Sequence, residues 1–434
     1  MSIAPAIDNL SAPTAPASDE SSADRFACNR TTGLIDRLTR RTVLDRLSCM
    51  CNGRIILRDG CDDFICGSTS PDGLSSDLTV HSASFYRRLV TGGSLGFAES
   101  YLQGEWDSED LPALLRIFCR NLNRVHSVSG GFASFAKALA RAGHWLSRNT
   151  RSGSRRNIEA HYDLGNDFFE LFLDPTMMYS SAIFDDPTMT LEDAQTARLD
   201  RICQRLDLKP TDHLMEIGTG WGGLAIHAAR NYGCRVTTTT ISEQQYQYAE
   251  RQVRELGLRN QITLRRQDYR DLEGQFDKLV SIEMIEAVGP QYYDTFFRKC
   301  ASLLKPNGCM LVQAIVMPEQ RYATYLKSVD FIQKYIFPGG SLPSISVMQQ
   351  AASRTSSLRL VELNDFAAGY AQTLRAWRAE FRNRLDEVRA LGYPERFIRM
   401  WDYYLCYCEA AFEERAVGVV HAVWNRQLLS SDGH

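Results

Sequence analysis

The 434-residue sequence predicts an α/β fold, a mostly parallel sheet with helices packed on both of its faces. Three observations carry this. From Thr190 onward, short β-branched runs alternate with segments of helical period. The spacing between successive runs suits a strand, a crossover helix and the next parallel strand. A glycine-rich turn stands where the first of these strands meets its helix.

Thr190 with Asp193 opens a helix as a capping box, and apolar positions carry it to Leu206. Strand-like His213 to Ile217 runs into Gly218, and a helix follows from Leu224 to Arg230. Strand-like Arg235 to Ile241 leads into a helix from Ser242 to Leu256. Ile262 to Arg266, Lys278 to Ile282 and Met310 to Val316 add strands, with a helix over Gln291 to Leu304 before the last. The tail from Ser346 to about Gln427 reads as largely helical. Upstream, about residues 25–125 form a small mixed α/β domain. Its Arg54–Leu57 and Asp63–Cys66 are strand-like, and Ser84–Val90 and Pro112–Leu122 are helical. Residues 1–24, rich in Ser, Ala and Pro and bearing four acids, read as a disordered leader without the features of a signal or transit peptide.

Composition narrows the function. A 44% apolar, 23% charged chain with a net charge of -3 is globular and lacks the cationic surplus of a dedicated nucleic-acid binder. No apolar run is long enough to span a bilayer. The 12 cysteines form no CxxC pair, which gives no metal site and suits reduced thiols in a cytoplasmic protein. One asymmetry stands out. Residues 111–158 hold nine basic residues and no acid, and Phe132, Phe135, Leu139 and Trp145 recur there near helical spacing. Residues 126–156 therefore read as a basic amphipathic linker, either docking on an anionic membrane surface or packed on its own domain.

The turn Glu216-Ile217-Gly218-Thr219-Gly220-Trp221-Gly222-Gly223 satisfies GxGxxG, a pattern that lets a cofactor approach the backbone at a Rossmann-like strand–helix junction. The next strand ends in Thr238-Thr239-Thr240-Ile241, without the ribose-binding acid of an NAD site. Glu216 and Asp268 suit S-adenosylmethionine (SAM) instead. Glu283 and Glu286, three apart, suit either a solvated helix start or a site.

At these motifs the sequence resembles the cyclopropane-fatty-acid synthases and their mycolic-acid-modifying relatives. The resemblance rests on Gly93–Tyr101, His161–Phe169, Met178–Ala182, the glycine loop, Ser281–Gly289, Ile336–Gly340 and Tyr370–Leu374, in family order. It implies a SAM-dependent methyltransferase catalytic domain over residues 157–434, with additional helices over the active site, and a lipid-docking role for the first domain. It places Tyr179 and Ser180 at the cofactor lid and Gly218 and Gly220 under the methionine end. Thr240, Ile241 and Gln245 fall on the ribose side, and Asp268 and Tyr269 on the adenine side. It implies methylene transfer to the double bond of an unsaturated phospholipid acyl chain, with a bound bicarbonate as base, held by Glu286, Tyr370 and the backbone at Ile315. Ser181 stands where many members have Cys, Gln313 where they have His, and Ala287 where His is common. Ser181 and Gln313 can still donate hydrogen bonds to an oxyanion.

Those departures leave a methyl-branched or methylene product as an alternative to the ring. A soluble small-molecule acceptor and a binding protein without catalysis are the other readings. Aromatic residues Tyr292, Tyr293, Phe296, Phe297, Tyr322, Tyr325, Phe331, Tyr335 and Phe337 suit an acyl tunnel or the core, and Trp401, Tyr403, Tyr404, Tyr407 and Phe412 a core or a lipid-facing wall. His161 and His227 read as packed histidines. The expected setting is the cytoplasmic face of a membrane, bound peripherally, with a homodimer left open.

Overall fold

A computed structural model describes residues 33–122 and 164–427. The leader, the linker over 126–156 and His161 lie outside the described residues. The chain divides into two compact units.

The first unit joins the described N-terminal residues to Ser328–Ile336 and Leu385–Glu414, so two later segments fold with the small domain. Its sheet has the order β2-β1-β3-β4, from Gly53–Asp59 (β1), Asp62–Ser68 (β2), Ser75–Val80 (β3) and Trp106–Asp107 (β4). β3 and the helix Leu34–Ser48 had no clear periodic signal in the sequence. The helix Ser84–Leu102 bends at Gly93, whose φ of 58° only glycine adopts readily. The helix Glu395–Glu413 packs on Leu111–Arg120, burying Trp401, Tyr403, Tyr404 and Phe412, which are therefore core. Phe331 belongs to this same core, stacked edge-on against Tyr403.

The second unit carries a seven-stranded sheet of order β10-β11-β9-β8-β5-β6-β7. The strands are His213–Ile217 (β5), Arg235–Thr240 (β6), Ile262–Arg266 (β7), Phe276–Ile282 (β8), Leu304–Val316 (β9), Leu358–Asp365 (β10) and Gly418–Arg426 (β11). β7, β6, β5, β8 and β9 are parallel neighbours, whereas β11 pairs antiparallel with β9 and β10 with β11. The largely helical reading of the tail is thus corrected by two strands. β11 is buried on both faces and shows no alternation, and β10 is an exposed, acidic edge. Thr190 caps the helix Leu191–Arg205 by accepting from Asp193 N at 3.1 Å, as the capping box requires.

Tyr293, Phe296 and Phe297 are fully buried beneath β8 and β9, so these three proposed tunnel residues are core. The strand order reverses at β5, with β6 on one side and β8 on the other. The crevice at the carboxyl ends of those strands is the switch point where ligands bind in such sheets.

In the first unit Glu414 accepts from Arg116 Nε and Arg120 Nε, both at 2.7 Å, with all three side chains mostly buried. Glu414→Ala should destabilise the protein by about 2 kcal/mol, because two guanidinium groups lose their shared carboxylate. Urea unfolding against wild type measures this.

Candidate active site

β5 ends in the glycine loop. Gly218 N and Thr219 N donate to Thr239 O at 3.1 and 2.9 Å, which ties the loop to β6. Gly218 has a φ of 102° and Gly220 of 53°, and a Cβ built on Gly220 meets nothing within 4 Å among the described residues. The backbone there is open to a ligand, and side chains in its place would fill the cradle. A Cβ on Gly223 would strike Met178 Sδ, so the loop packs closely against the segment leading to Tyr179.

That segment is strapped down. Gln195 Nε2 donates to Ser180 O at 2.8 Å, and Thr373 Oγ1 accepts from Ala182 N at 3.0 Å. Tyr179 sits among Phe169, Phe172, Phe337 and Trp377, at centroid distances of 5.3, 6.4, 6.5 and 5.2 Å. Ser180 Oγ is inaccessible to solvent and has no hydrogen-bond partner among the described residues. Along the end of β6, Thr240 Oγ1 and Gln245 Oε1 lie 2.9 Å apart, with Ile241 beside them. Asp268 follows β7, but both its oxygens are engaged by Arg270, at 2.8 and 2.6 Å. The adjacent Tyr269 lies partly in the core, edge-on to Phe296. An open glycine cradle, a buried unpartnered hydroxyl and polar groups at three strand ends fit SAM. Glu216, under the loop, accepts from Thr238 Oγ1 at 2.6 Å, and burial pushes its carboxyl up to about 8.

The two glutamates after β8 separate. Met284 Cβ lies 3.5 Å from where a Gly218 Cβ would stand, so this turn adjoins the glycine loop. Glu283 has a φ of 47°, a left-handed conformation costing about 1 kcal/mol for a residue with a side chain. Its carboxylate compensates. Oε1 accepts from Gln313 Nε2 at 2.6 Å and Ser181 N at 3.1 Å, and Oε2 accepts from Tyr370 OH at 2.8 Å. Burial still pushes its pKa upward against these donors. Glu286 instead accepts from Ile315 N at 2.6 Å through Oε1, while its Oε2 is inaccessible and unpartnered among the described residues. Burial, and next the Glu283 charge, push Glu286 up to about 8, so it is protonated at neutral pH.

Tyr370, Gln313 and Ser181 therefore converge on Glu283 and not with Glu286. Of the residues expected around one bound anion, Glu286 and the Ile315 backbone do stand together, Ile315 N donating to Glu286 Oε1, whereas Tyr370 donates to Glu283. Ser181 contributes its backbone N–H, and its hydroxyl donates to Ala182 O at 3.1 Å. A separate bicarbonate does not fit these donors.

Two further groups support the cluster. Arg198 is fully buried and donates to Gln313 Oε1 at 3.3 Å and to Gln195 Oε1 at 3.1 Å. Burial lowers it to about 10, which leaves it charged. His421 on β11 stands opposite Gln313 on β9, with Nε2 2.9 Å from Gln313 Oε1 and Nδ1 2.8 Å from Arg205 Nη1. A neutral ring with its proton on Nε2 satisfies both contacts, and burial holds its pKa well below the usual range. An imidazole thus reaches this site from the neighbouring strand. Arg198 carries a weak sequence signal, an arginine on the apolar stripe of an amphipathic helix. His421 and the role of Glu283 carry none, since each depends on strand pairing. His227 contacts Asp200 at 2.8 Å on the outer helices, a structural pairing.

Residues 149–422 match the family described as mycolic acid cyclopropane synthetase. The chain is 40% identical over 357 residues to the cyclopropane-fatty-acyl-phospholipid synthase of Escherichia coli (strain K12), covering 81% of this chain and 88% of that protein. It is 36% identical over 378 residues to the tuberculostearic acid methyltransferase of Mycobacterium tuberculosis, covering 83% and 84%. Among solved structures, mycolic acid cyclopropane synthase CmaA1 complexed with SAH and CTAB superposes with a TM-score of 0.59 at 31% identity, covering 63% of this chain and 98% of that one.

A buried acid with its pKa raised to about 8 binds its proton more tightly folded than unfolded, so Glu286 destabilises the fold as pH rises from about 4.5 to about 8. Glu286→Gln removes this ionisation. Urea unfolding of the two proteins should agree best at the acid end, with the variant gaining by a few kcal/mol at the alkaline end.

Proposed function

The chain belongs to the mycolic acid cyclopropane synthetase family and is a SAM-dependent methyltransferase; from this we propose that it alkylates the double bond of an unsaturated phospholipid acyl chain and forms a cyclopropane fatty acid. The observation that carries the reading is the buried carboxylate cluster of Glu283, Tyr370 and Gln313 set beside the glycine loop. An alkene is a weak nucleophile and turns cationic as it reacts. It therefore needs a dry, aligned site with fixed negative charge. The similarity to an Escherichia coli synthase named for fatty acyl phospholipids supports the lipid acceptor.

Tyr179, Ser180, Gly218, Gly220, Thr240, Ile241, Gln245, Asp268 and Tyr269 would hold SAM, which supplies an electrophilic methyl group when bound. Gly218 and Gly220 keep side chains out of the cradle. Tyr179, Phe169, Phe172 and Trp377 exclude water and present ring faces that tolerate a nearby cation. Glu283 places a carboxylate at the turn after β8, where Tyr370 and Gln313 donate to it and fix its orientation. Protonated Glu286 adds no second charge. The basic residues of 126–156 would bring the enzyme to an anionic bilayer, from which the acyl chain is drawn. Among the described residues no helix is long and apolar enough to cross a membrane.

Incubation with SAM and vesicles of unsaturated phosphatidylglycerol should yield fatty acids heavier by one methylene that resist hydrogenation of double bonds, as a ring does and a methyl-branched alkene does not. Saturated vesicles should give nothing. No transfer to unsaturated vesicles, with SAM binding intact by calorimetry, would exclude the lipid acceptor. Gly220→Val should weaken SAM binding by about 100-fold or more, as a branched side chain fills the cradle and opposes the left-handed backbone.

A further inference from the structure

Resting on that reading, we propose that Glu283 is the base of the reaction and that its own carboxylate takes the place a bound bicarbonate would need. Three observations and one chemical likeness lead here. The donors that would hold a small planar anion, Tyr370 OH, Gln313 Nε2 and Ser181 N, all point at the Glu283 oxygens within 3.1 Å. A carboxylate and bicarbonate present the same pair of acceptor oxygens to such donors. The backbone at Glu283 holds a φ of 47°, an arrangement for which glycine is the relaxed residue, so the side chain is fixed there by its hydrogen bonds. The turn that bears it packs against Gly218, where the cofactor cradle begins.

Gln313 completes the device. Its Oε1 accepts from Arg198 and His421, which fixes Nε2 toward Glu283 and disfavours the flipped amide. Once the methyl carbon has joined the acyl chain, one C–H bond of that carbon breaks and its proton passes to a Glu283 oxygen. The freed electron pair forms the second C–C bond to the cationic carbon and closes the ring. The carboxylate becomes a neutral carboxylic acid, the carbocation on the acyl chain is discharged, and loss of the proton to solvent restores the starting state. No oxidant or co-reactant is consumed.

The test compares wild type with Glu283→Gly and Glu283→Gln on unsaturated phospholipid vesicles, in buffer stripped of carbon dioxide and with bicarbonate or formate restored. Labelled bicarbonate is followed in parallel by carbon-13 line broadening, a readout that needs no lipid. Wild type should turn over equally with and without bicarbonate and should not broaden its signal. Glu283→Gly, which its backbone accepts without strain, should lose about 100-fold or more in turnover. Bicarbonate or formate should restore part of this, and the variant should broaden the bicarbonate signal. Glu283→Gln should be as slow but not rescued, since its amide still fills the place. Retained SAM binding by calorimetry in both variants shows that the site stays folded.

Bicarbonate-dependent turnover or line broadening in wild type overturns the proposal, as does wild-type turnover in either variant. A wild type that methylates no lipid overturns the lipid reading and the assignment of the base with it. The broadening measured on wild type and Glu283→Gly would still decide who occupies the anion site, so the two failures are told apart.

Discussion

A single buried carboxylate organises the second unit. Glu283 closes β8, and its oxygens gather Gln313 from β9, Ser181 from the segment after Tyr179, and Tyr370 from the helix Ala367–Asn383. Four separate stretches are thereby fixed around one negative charge. An ionised carboxylate out of bulk water is tolerable only when its oxygens are satisfied and a counter-charge is near. Arg198 is that counter-charge, buried and connected through Gln313. Removing either group would leave the other uncompensated, which explains why a guanidinium occupies the apolar face of the helix Leu191–Arg205.

The sheet supplies the frame on which this charge is useful. Because β6 and β8 flank β5 on opposite sides, the loops after all three strands open into one crevice. The glycine loop occupies one part of it and the Glu283 turn another, in contact through Gly218 and Met284. The antiparallel pair β10 and β11 does more than extend the sheet. β11 brings His421 against Gln313 and so sets the direction in which that amide donates. Protonated Glu286, held by Ile315 N, stands next to Glu283 without a second charge, because two carboxylates this close cannot both ionise cheaply.

Much of this was legible beforehand. The strand–helix alternation located β5 to β8 to within two residues and the second half of β9, since those stretches are short and bounded by turn chemistry. The capping box at Thr190 fixed a helix start by a purely local hydrogen bond. Gly218 and Gly220 were readable as a cradle because only glycine combines positive φ with an open backbone. By contrast, β11 reads as a continuous apolar run that periodicity cannot distinguish from a buried helix, and the exposed β10 carries acids that strands usually lack. The two segments that complete the first unit, Ser328–Ile336 and Leu385–Glu414, are far in sequence from the domain they join.

The sequence by itself determined the fold class, the cofactor loop and the set of polar residues from which the site is made, because these depend on local periodicity, backbone conformation and residue type. Only the tertiary structure decided which carboxylate those residues serve. Glu283 and Glu286 are three positions apart on one turn and chemically identical. The choice between them comes from donors on β9, on the segment after Tyr179 and on a helix nearly ninety residues later, all brought together by packing that no local pattern encodes.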